Sequence, residues 1–156
     1  MAVTEHSGSA SRLLQAAAGA LVPLIMAFPI YADLANDVRA QVSYVGTALA
    51  ASNASDAMTP FDKSFANYQK LKNYFQGLSA FQVDNEIEFI EEDDNETSAK
   101  LIVNWTLTLT DIATDATERR TGDITIELAR KDGKWKIIDF APITFFDPQQ
   151  KPAPKR

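Results

Sequence analysis

Proton transfer and metal binding near neutral pH fall mostly to histidine, cysteine and carboxylates, and this chain is poor in the first two. It has no cysteine and a single histidine, His6. A thiolate nucleophile, a disulfide framework and a Cys-ligated zinc site are therefore excluded. His6 lies in an N-terminal segment expected to be removed, so the mature chain would keep neither the usual neutral-pH proton shuttle nor the usual soft metal ligands. No phosphate loop, G-x-S-x-G elbow or metal-ligand spacing occurs. Carboxylates remain. The run Glu91-Glu92-Asp93-Asp94-Asn95-Glu96 invites a calcium reading, but that loop needs a glycine sixth and a glutamate twelfth. Counted from Asp93 those places hold Ser98 and Asn104, so a solvated hairpin turn is expected there. Paired Arg119-Arg120 could bind an anionic group, although a solvated strand start is the more ordinary reading.

The elements that position these residues fall into a helical half and a sheet half. Leu34, Val38, Val42, Val45 and Leu49 recur at helical spacing, with Asp33 as the expected cap. Ser52 to Asp56 should end that helix and offer a new cap at Ser55. A short helical segment with Ala57, Met58 and Phe61 follows, limited by Pro60. After a cap at Ser64, the stripe Phe65, Tyr68, Leu71, Phe75 and Leu78 predicts a further helix ending near Gly77. That stripe reads as core packing against a sheet rather than a ligand platform.

From residue 81 the period changes to two. Val83, Ile87 and Phe89 alternate with acids. Leu101, Val103, Trp105, Leu107 and Leu109 alternate with Ile102, Asn104 and threonines, and after a polar connection over 111–119 come Ile124, Ile126 and Leu128. Asp132-Gly133 predicts a tight hairpin turn. Trp135 and Ile137 open the last strand, where the alternation slips at Ile137-Ile138. A bulge there would turn Trp135, Ile137 and Phe140 to one face and Asp139 outward, sparing a buried unpaired carboxylate. The threonine-rich second face of 104–110 suits a dimer surface or a half-exposed sheet face.

The totals set outer bounds. A chain of 156 residues, 46% hydrophobic and 23% charged, has the composition of one folded domain. Its net charge of −6 argues against a general nucleic-acid binder. Arg12, the apolar run 13–32 and the following Asp33 have the layout of a secretory signal peptide cut after Ala32. Periplasmic or secreted localisation is expected, without stable membrane insertion after cleavage. The alternative is a membrane anchor formed by 13–32, which Pro23 and Pro29 would bend. The expected organisation is thus a signal peptide over 1–32, a domain over 33–146 and a flexible Pro/Lys tail over 147–156.

Helix, short helix, helix and four antiparallel strands resembles the nuclear transport factor 2-like fold over about residues 33–146. The residues that carry the resemblance are the strand pair Leu101–Leu109 and Ile124–Arg130, and the run Lys134-Trp135-Lys136-Ile137-Ile138-Asp139-Phe140. That run is similar to the W-x-I final strand of exported bacterial members, and Phe61-Asp62-Lys63-Ser64-Phe65 lies where they often carry a Phe-Asp stretch. The resemblance implies an α+β domain, N-terminal helices packed on a curved four-stranded antiparallel sheet that closes into a cone. It implies no cofactor. Its enzymes work with acid, histidine or tyrosine side chains inside the cone, which here leaves Asp62 or Asp139 with Tyr44 or Tyr68. The expected pocket residues are Phe61, Asp62, Tyr68, Trp105, Trp135 and Asp139, none assigned a catalytic role. An exported, non-catalytic domain is expected, binding a small apolar ligand or a protein partner, with a homodimer through the sheet as one arrangement. The alternative is a cofactor-independent isomerase, cyclase or dehydratase using Asp and Tyr. A cone filled by Trp105, Trp135 and phenylalanines would count against the enzyme, and a cavity with a converging carboxylate and tyrosine would count for it.

Overall fold

Four antiparallel strands, β1 (Phe81–Asp94), β2 (Ser98–Asp111), β3 (Thr117–Lys131) and β4 (Lys134–Ala141), pair in sequence order as a meander. The computed structural model describes residues 29–150, with side chains from Asp33 onward. The residues before Pro29 and residues 151–156 lie outside that description, and the proposed cut after Ala32 falls at the end of the stretch described by its backbone alone. The alternation read from the sequence sorts the sheet's two faces. Leu101, Val103, Trp105, Leu107, Leu109, Ile124 and Ile126 are all fully buried on one of them, because side chains two apart on a strand share a face.

Helix α1 (Pro29–Ala50) lays Leu34, Val38, Val42, Val45 and Leu49 into the core. It starts earlier than expected, so Asp33 sits within the helix rather than capping it. Proline fits the first turn because the N–H it lacks would have no helical partner there. Helix α2 (Ala54–Ala57) is capped by Asn53, not Ser55, the Asn53 side chain accepting the Asp56 N–H at 3.0 Å. Helix α3 (Tyr68–Gly77) begins later than the Ser64 cap predicted. Ser64 is engaged elsewhere: its N–H donates to Asp62 Oδ1 at 2.8 Å and its hydroxyl donates to the same oxygen. This local turn competes with helix formation and delays it.

Three corrections concern the sheet. The acidic run is mostly strand: Glu91 to Asp94 belong to β1, and only Asn95, Glu96 and Thr97 make the turn, with Asn95 Oδ1 accepting the N–H groups of Thr97 and Ser98 at 3.0 Å each. A register shift between Phe89 and Glu91 turns Glu92 inward, where it accepts the Arg39 Nε–H at 2.6 Å. The connection read as 111–119 is shorter, since β3 starts at Thr117. The last strand stops at Ala141, and Ile143–Phe146 form a 3-10 turn instead of continuing the sheet.

Both turn features of the final hairpin are present. Asp132 and Gly133 have φ of 51° and 77°, the left-handed pair that joins twisted strands most tightly. Glu127 faces Asp139 and Leu128 faces Ile137, so Ile138 is the extra residue of a bulge. Trp135, Ile137 and Phe140 are buried together and Asp139 is exposed. The expected tail also starts later than 147. Asp147 and Pro148 are half-buried, and a Cβ on Gly77 would lie 2.6 Å from Pro148 Cγ.

Candidate functional site

The interior between helices and sheet is filled by the protein's own rings. Trp105 packs edge to face on Phe146 (centroids 5.1 Å apart, 89° between planes) and on Phe140 (6.1 Å, 80°), and Phe146 meets Phe75 at 5.5 Å. Phe61 closes on Phe140 at 5.3 Å. Such edge-to-face contacts suit the ring quadrupoles. One polar chain crosses this interior: Trp105 Nε1–H donates to Asn85 Oδ1 at 2.9 Å, and Asn85 Nδ2–H donates to the Gly46 carbonyl at 2.8 Å. Gly46 permits the approach, since a Cβ there would lie 3.0 Å from Ile87 Cδ1.

Arg120 is the charged side chain most deeply buried among the described residues, 9% exposed. Its Nη1–H groups donate to the carbonyls of Phe145 (2.9 Å) and Asp147 (2.7 Å), and Nε–H donates to Glu118 at 2.7 Å. It is neither a solvated strand start nor a free anion site, because its donors already have acceptors. Arg119 is the exposed neighbour, 4.0 Å from Glu86.

Phe61, Asp62 and Tyr68 meet in an open surface depression of about 540 Å³, lined also by Met58, Lys63 and Lys136. The strand edge builds it. Asp62 N–H donates to the Ile137 carbonyl and Ile137 N–H to the Pro60 carbonyl, both at 2.8 Å, so residues 60–62 cover the free edge of β4. Lys136 Nζ–H donates to the Thr59 carbonyl at 2.9 Å. Asp62 is the one carboxylate here, and its pKa is lowered to about 2 by the Ser64 hydroxyl and N–H and by Lys131, whose Nζ lies 3.1 Å away. A carboxylate held this firmly ionised is a weak general base at neutral pH, where efficiency needs a pKa near the working pH.

The other expected pocket residues lie apart. Trp105 is inside the core. Trp135 lines a smaller cleft of about 280 Å³ with Asp37, Gln41 and Lys134. Asp139 faces solvent beside Glu127. Tyr44 is 45% exposed on α1. Among the described residues no cluster of three or more His, Cys, Asp or Glu is placed to hold a metal ion. Sequence reasoning missed Asn85 and took Arg120 for a solvated strand start or an anion site, although each breaks an apolar row (Val83, Asn85, Ile87; Arg120, Ile124, Ile126) and so signalled an inward polar group. Nothing in the period marked Phe146.

No protein-family model matches the chain, and no curated protein does. Solved structures do. A nuclear transport factor 2-like superfamily protein from Salmonella enterica is 8% identical over 70% of this chain and 89% of its own, with a TM-score of 0.58. A scytalone dehydratase-like protein from Novosphingobium aromaticivorans is 13% identical over 70% and 83%, at 0.63. A ketosteroid isomerase-like protein from Erwinia carotovora is 14% identical over 69% and 92%, at 0.59. At such identities the likeness speaks for architecture and not activity. The chain has the nuclear transport factor 2-like fold, an α+β arrangement of helices packed against a four-stranded antiparallel sheet.

Proposed function

We propose that this is an exported, non-catalytic domain that binds a small apolar ligand. The observation that carries the reading is the interior itself: aromatic and aliphatic side chains converge there, the Trp105 N–H is already bonded to Asn85, and Arg120 is committed to two carbonyls and Glu118. No carboxylate–tyrosine pair faces that space among the described residues. An apolar interior in which the Trp105 and Arg120 donors are satisfied favours binding by shape over proton transfer. NMR titration with single-ring aromatic compounds tests it. Shifts at Trp105 and Phe140 with no product appearing are expected, and conversion of a bound compound would overturn the reading.

A second copy of the chain is the partner this reading includes, seated on the outer sheet face. Its central row, Ile102, Asn104, Thr106, Thr108 and Thr110, is uncharged, while Asp84, Glu86 and Glu88 flank it on one side and Arg119 and Asp123 on the other. Depletion of charge at the centre and charge at the rim is the pattern of a protein interface. Sedimentation at increasing concentration should give a dimer that Thr108→Arg disperses, and a monomer throughout would remove this part.

The enzyme reading keeps one supporting observation, Asp62 and Tyr68 in a single depression. The low pKa of Asp62 weighs against it. Export rests on residues 1–32 as a signal peptide; no helix of the described residues is long and apolar enough to cross a membrane. N-terminal sequencing of exported protein should begin near Asp33. A start at Met1 would leave the anchored alternative.

A further inference from the structure

The segment after β4 is attached in an unusual way. Its backbone hydrogen bonds are all local: Phe145 N–H to the Pro142 carbonyl at 3.3 Å, and Asp147 N–H to Thr144 and Gln150 N–H to Asp147 at 3.1 Å each. Among the described residues no backbone hydrogen bond joins residues 143–150 to the sheet or to a helix. Besides the packing of Pro148 on Gly77 of helix α3, two things hold the segment. One is burial of Ile143, Phe145 and Phe146. The other is the Arg120 guanidinium on the Phe145 and Asp147 carbonyls. The segment can therefore leave without breaking a strand ladder, unlike any part of β1 to β4.

What it would uncover is specific. The Phe146 ring sits among Phe75, Trp105 and Phe140, with centroids 5.5, 5.1 and 5.4 Å away. At the edge of that space Arg120 would lose both carbonyls while Glu118 kept its Nε–H. A ring-shaped apolar space with the freed Nη1 donors of Arg120 at its rim, Nε and Nη2 staying on Glu118, recognises an aromatic ring carrying an oxygen acceptor. The covalent structure of the segment sets the spacing. Between the Phe145 carbonyl carbon and the Phe146 ring lie the amide nitrogen, Cα and Cβ, the same spacing as between carboxylate and ring in phenylbutyrate with phenyl on the terminal carbon.

We propose that Ile143–Gln150 is a strap that occupies a latent site in the interior, its Phe146 ring and Phe145 carbonyl standing where the ring and oxygen of a small aromatic acid bind when the strap is displaced. This rests on the binding reading above and deepens it by naming the ligand class and the way in. It also accounts for a filled interior in a domain that binds: the closed state is self-occupied, and ligand competes with the strap.

Hydrogen exchange on the full chain, with phenylbutyrate as probe, tests it. Without ligand, the amides of Phe145, Asp147 and Gln150 should exchange on the order of a hundredfold faster than those of Val103 and Leu107, which need global opening. Added phenylbutyrate should speed exchange of the strap amides further by displacement, whereas ligand bound elsewhere leaves them unchanged. Phe146→Ala, which empties the ring position and keeps Arg120, should bind the probe about tenfold more tightly than wild type, and adding Arg120→Gln should cancel that gain. Strap amides that exchange only together with β2 would overturn the strap, a result independent of whether any variant folds. Equal binding of propylbenzene and phenylbutyrate to Phe146→Ala would overturn the role of Arg120. Turnover of the probe would instead sink the non-catalytic reading and leave the strap standing.

Discussion

Asn85 is the only bridge between the Trp105 indole and helix α1 seen among the described hydrogen bonds, accepting from Trp105 Nε1 at 2.9 Å while donating to Gly46 at 2.8 Å. Trp105 is fully buried, so the amide supplies its N–H with the acceptor that water does not, and adds a second donor to a carbonyl already bonded within the helix. Asn85→Leu leaves the indole N–H without an acceptor, while the Gly46 carbonyl, four residues before Ala50 in helix α1, keeps its helical partner. A loss of about 1–3 kcal/mol in urea unfolding is expected, the cost of one stranded buried donor. Asn85→Asp keeps an acceptor for Trp105 but sets an anion against the Gly46 carbonyl, and should be at least as damaging. A variant as stable as wild type would show that the bridge contributes nothing net.

Asp62 supplies a pH prediction whose sign can be worked out. Its pKa falls from 3.8 to about 2, chiefly through the Ser64 hydroxyl and N–H and then Lys131. A carboxylate with a depressed folded-state pKa contributes stability above its unfolded value, here about 3.8, and loses it as pH falls through about 2. NMR titration of the Asp62 carboxyl carbon should therefore have its midpoint near 2. Ser64→Ala should move the midpoint up toward 3.8. The stability gap between wild type and Asp62→Asn should be widest at neutral pH and close across that same window. A midpoint at the ordinary value in wild type would remove the Ser64 contact as its cause.

The strands and the first helix were legible because burial imposes a period, and the period of two over Leu101–Leu109 or of about four over Leu34–Leu49 survives any tertiary detail. The Ile138 bulge was legible for the same reason: an unpaired acid on the inner row was costlier than a kink. Helix starts were less legible, since Ser55 and Ser64 are good caps only when nothing else takes their side chains, and Asp62 takes Ser64. The site was least legible. Asp62 and Tyr68 meet because residues 60–62 pair with β4, a contact between segments far apart in the chain that no local pattern encodes. Arg120 looked like an ordinary surface cation because its acceptors are backbone carbonyls after β4, which sequence does not display.

The Asp132-Gly133 turn makes a sharper local prediction. Gly133 has φ of 77°, and a methyl group placed on its Cα would meet no atom within 4 Å, so Gly133→Ala meets no clash and isolates the backbone cost. That cost is about 1–2 kcal/mol for a residue with a Cβ in the left-handed region. Chemical denaturation should show a fall of that size with an unchanged m-value. No change would mean that the turn relaxes into another type.

Deleting Ile138 tests the bulge. Leu128 faces Ile137 and Glu127 faces Asp139, with Ile138 the residue in excess. Without it, Ile137, Asp139 and Phe140 become consecutive. They would then alternate inward, outward, inward in a regular ladder, on the faces they already take. Phe140 can stay against Trp105 and Phe61, and the pairing on both sides of the deletion is kept. What is lost is the half-buried Ile138 side chain and the extra local twist that a bulge supplies. A fall of about 1–2 kcal/mol in urea denaturation is expected. Deleting Lys136 has the opposite consequence. Trp135 and Ile137 would become neighbours, and two consecutive strand residues cannot both point inward. One of two buried side chains must leave the core, at about 3–5 kcal/mol if it is the tryptophan. Two deletions two positions apart should thus differ severalfold in cost, with Ile138 the milder. Equal losses would mean that Ile138 is not the extra residue and that the register of the last strand is set elsewhere.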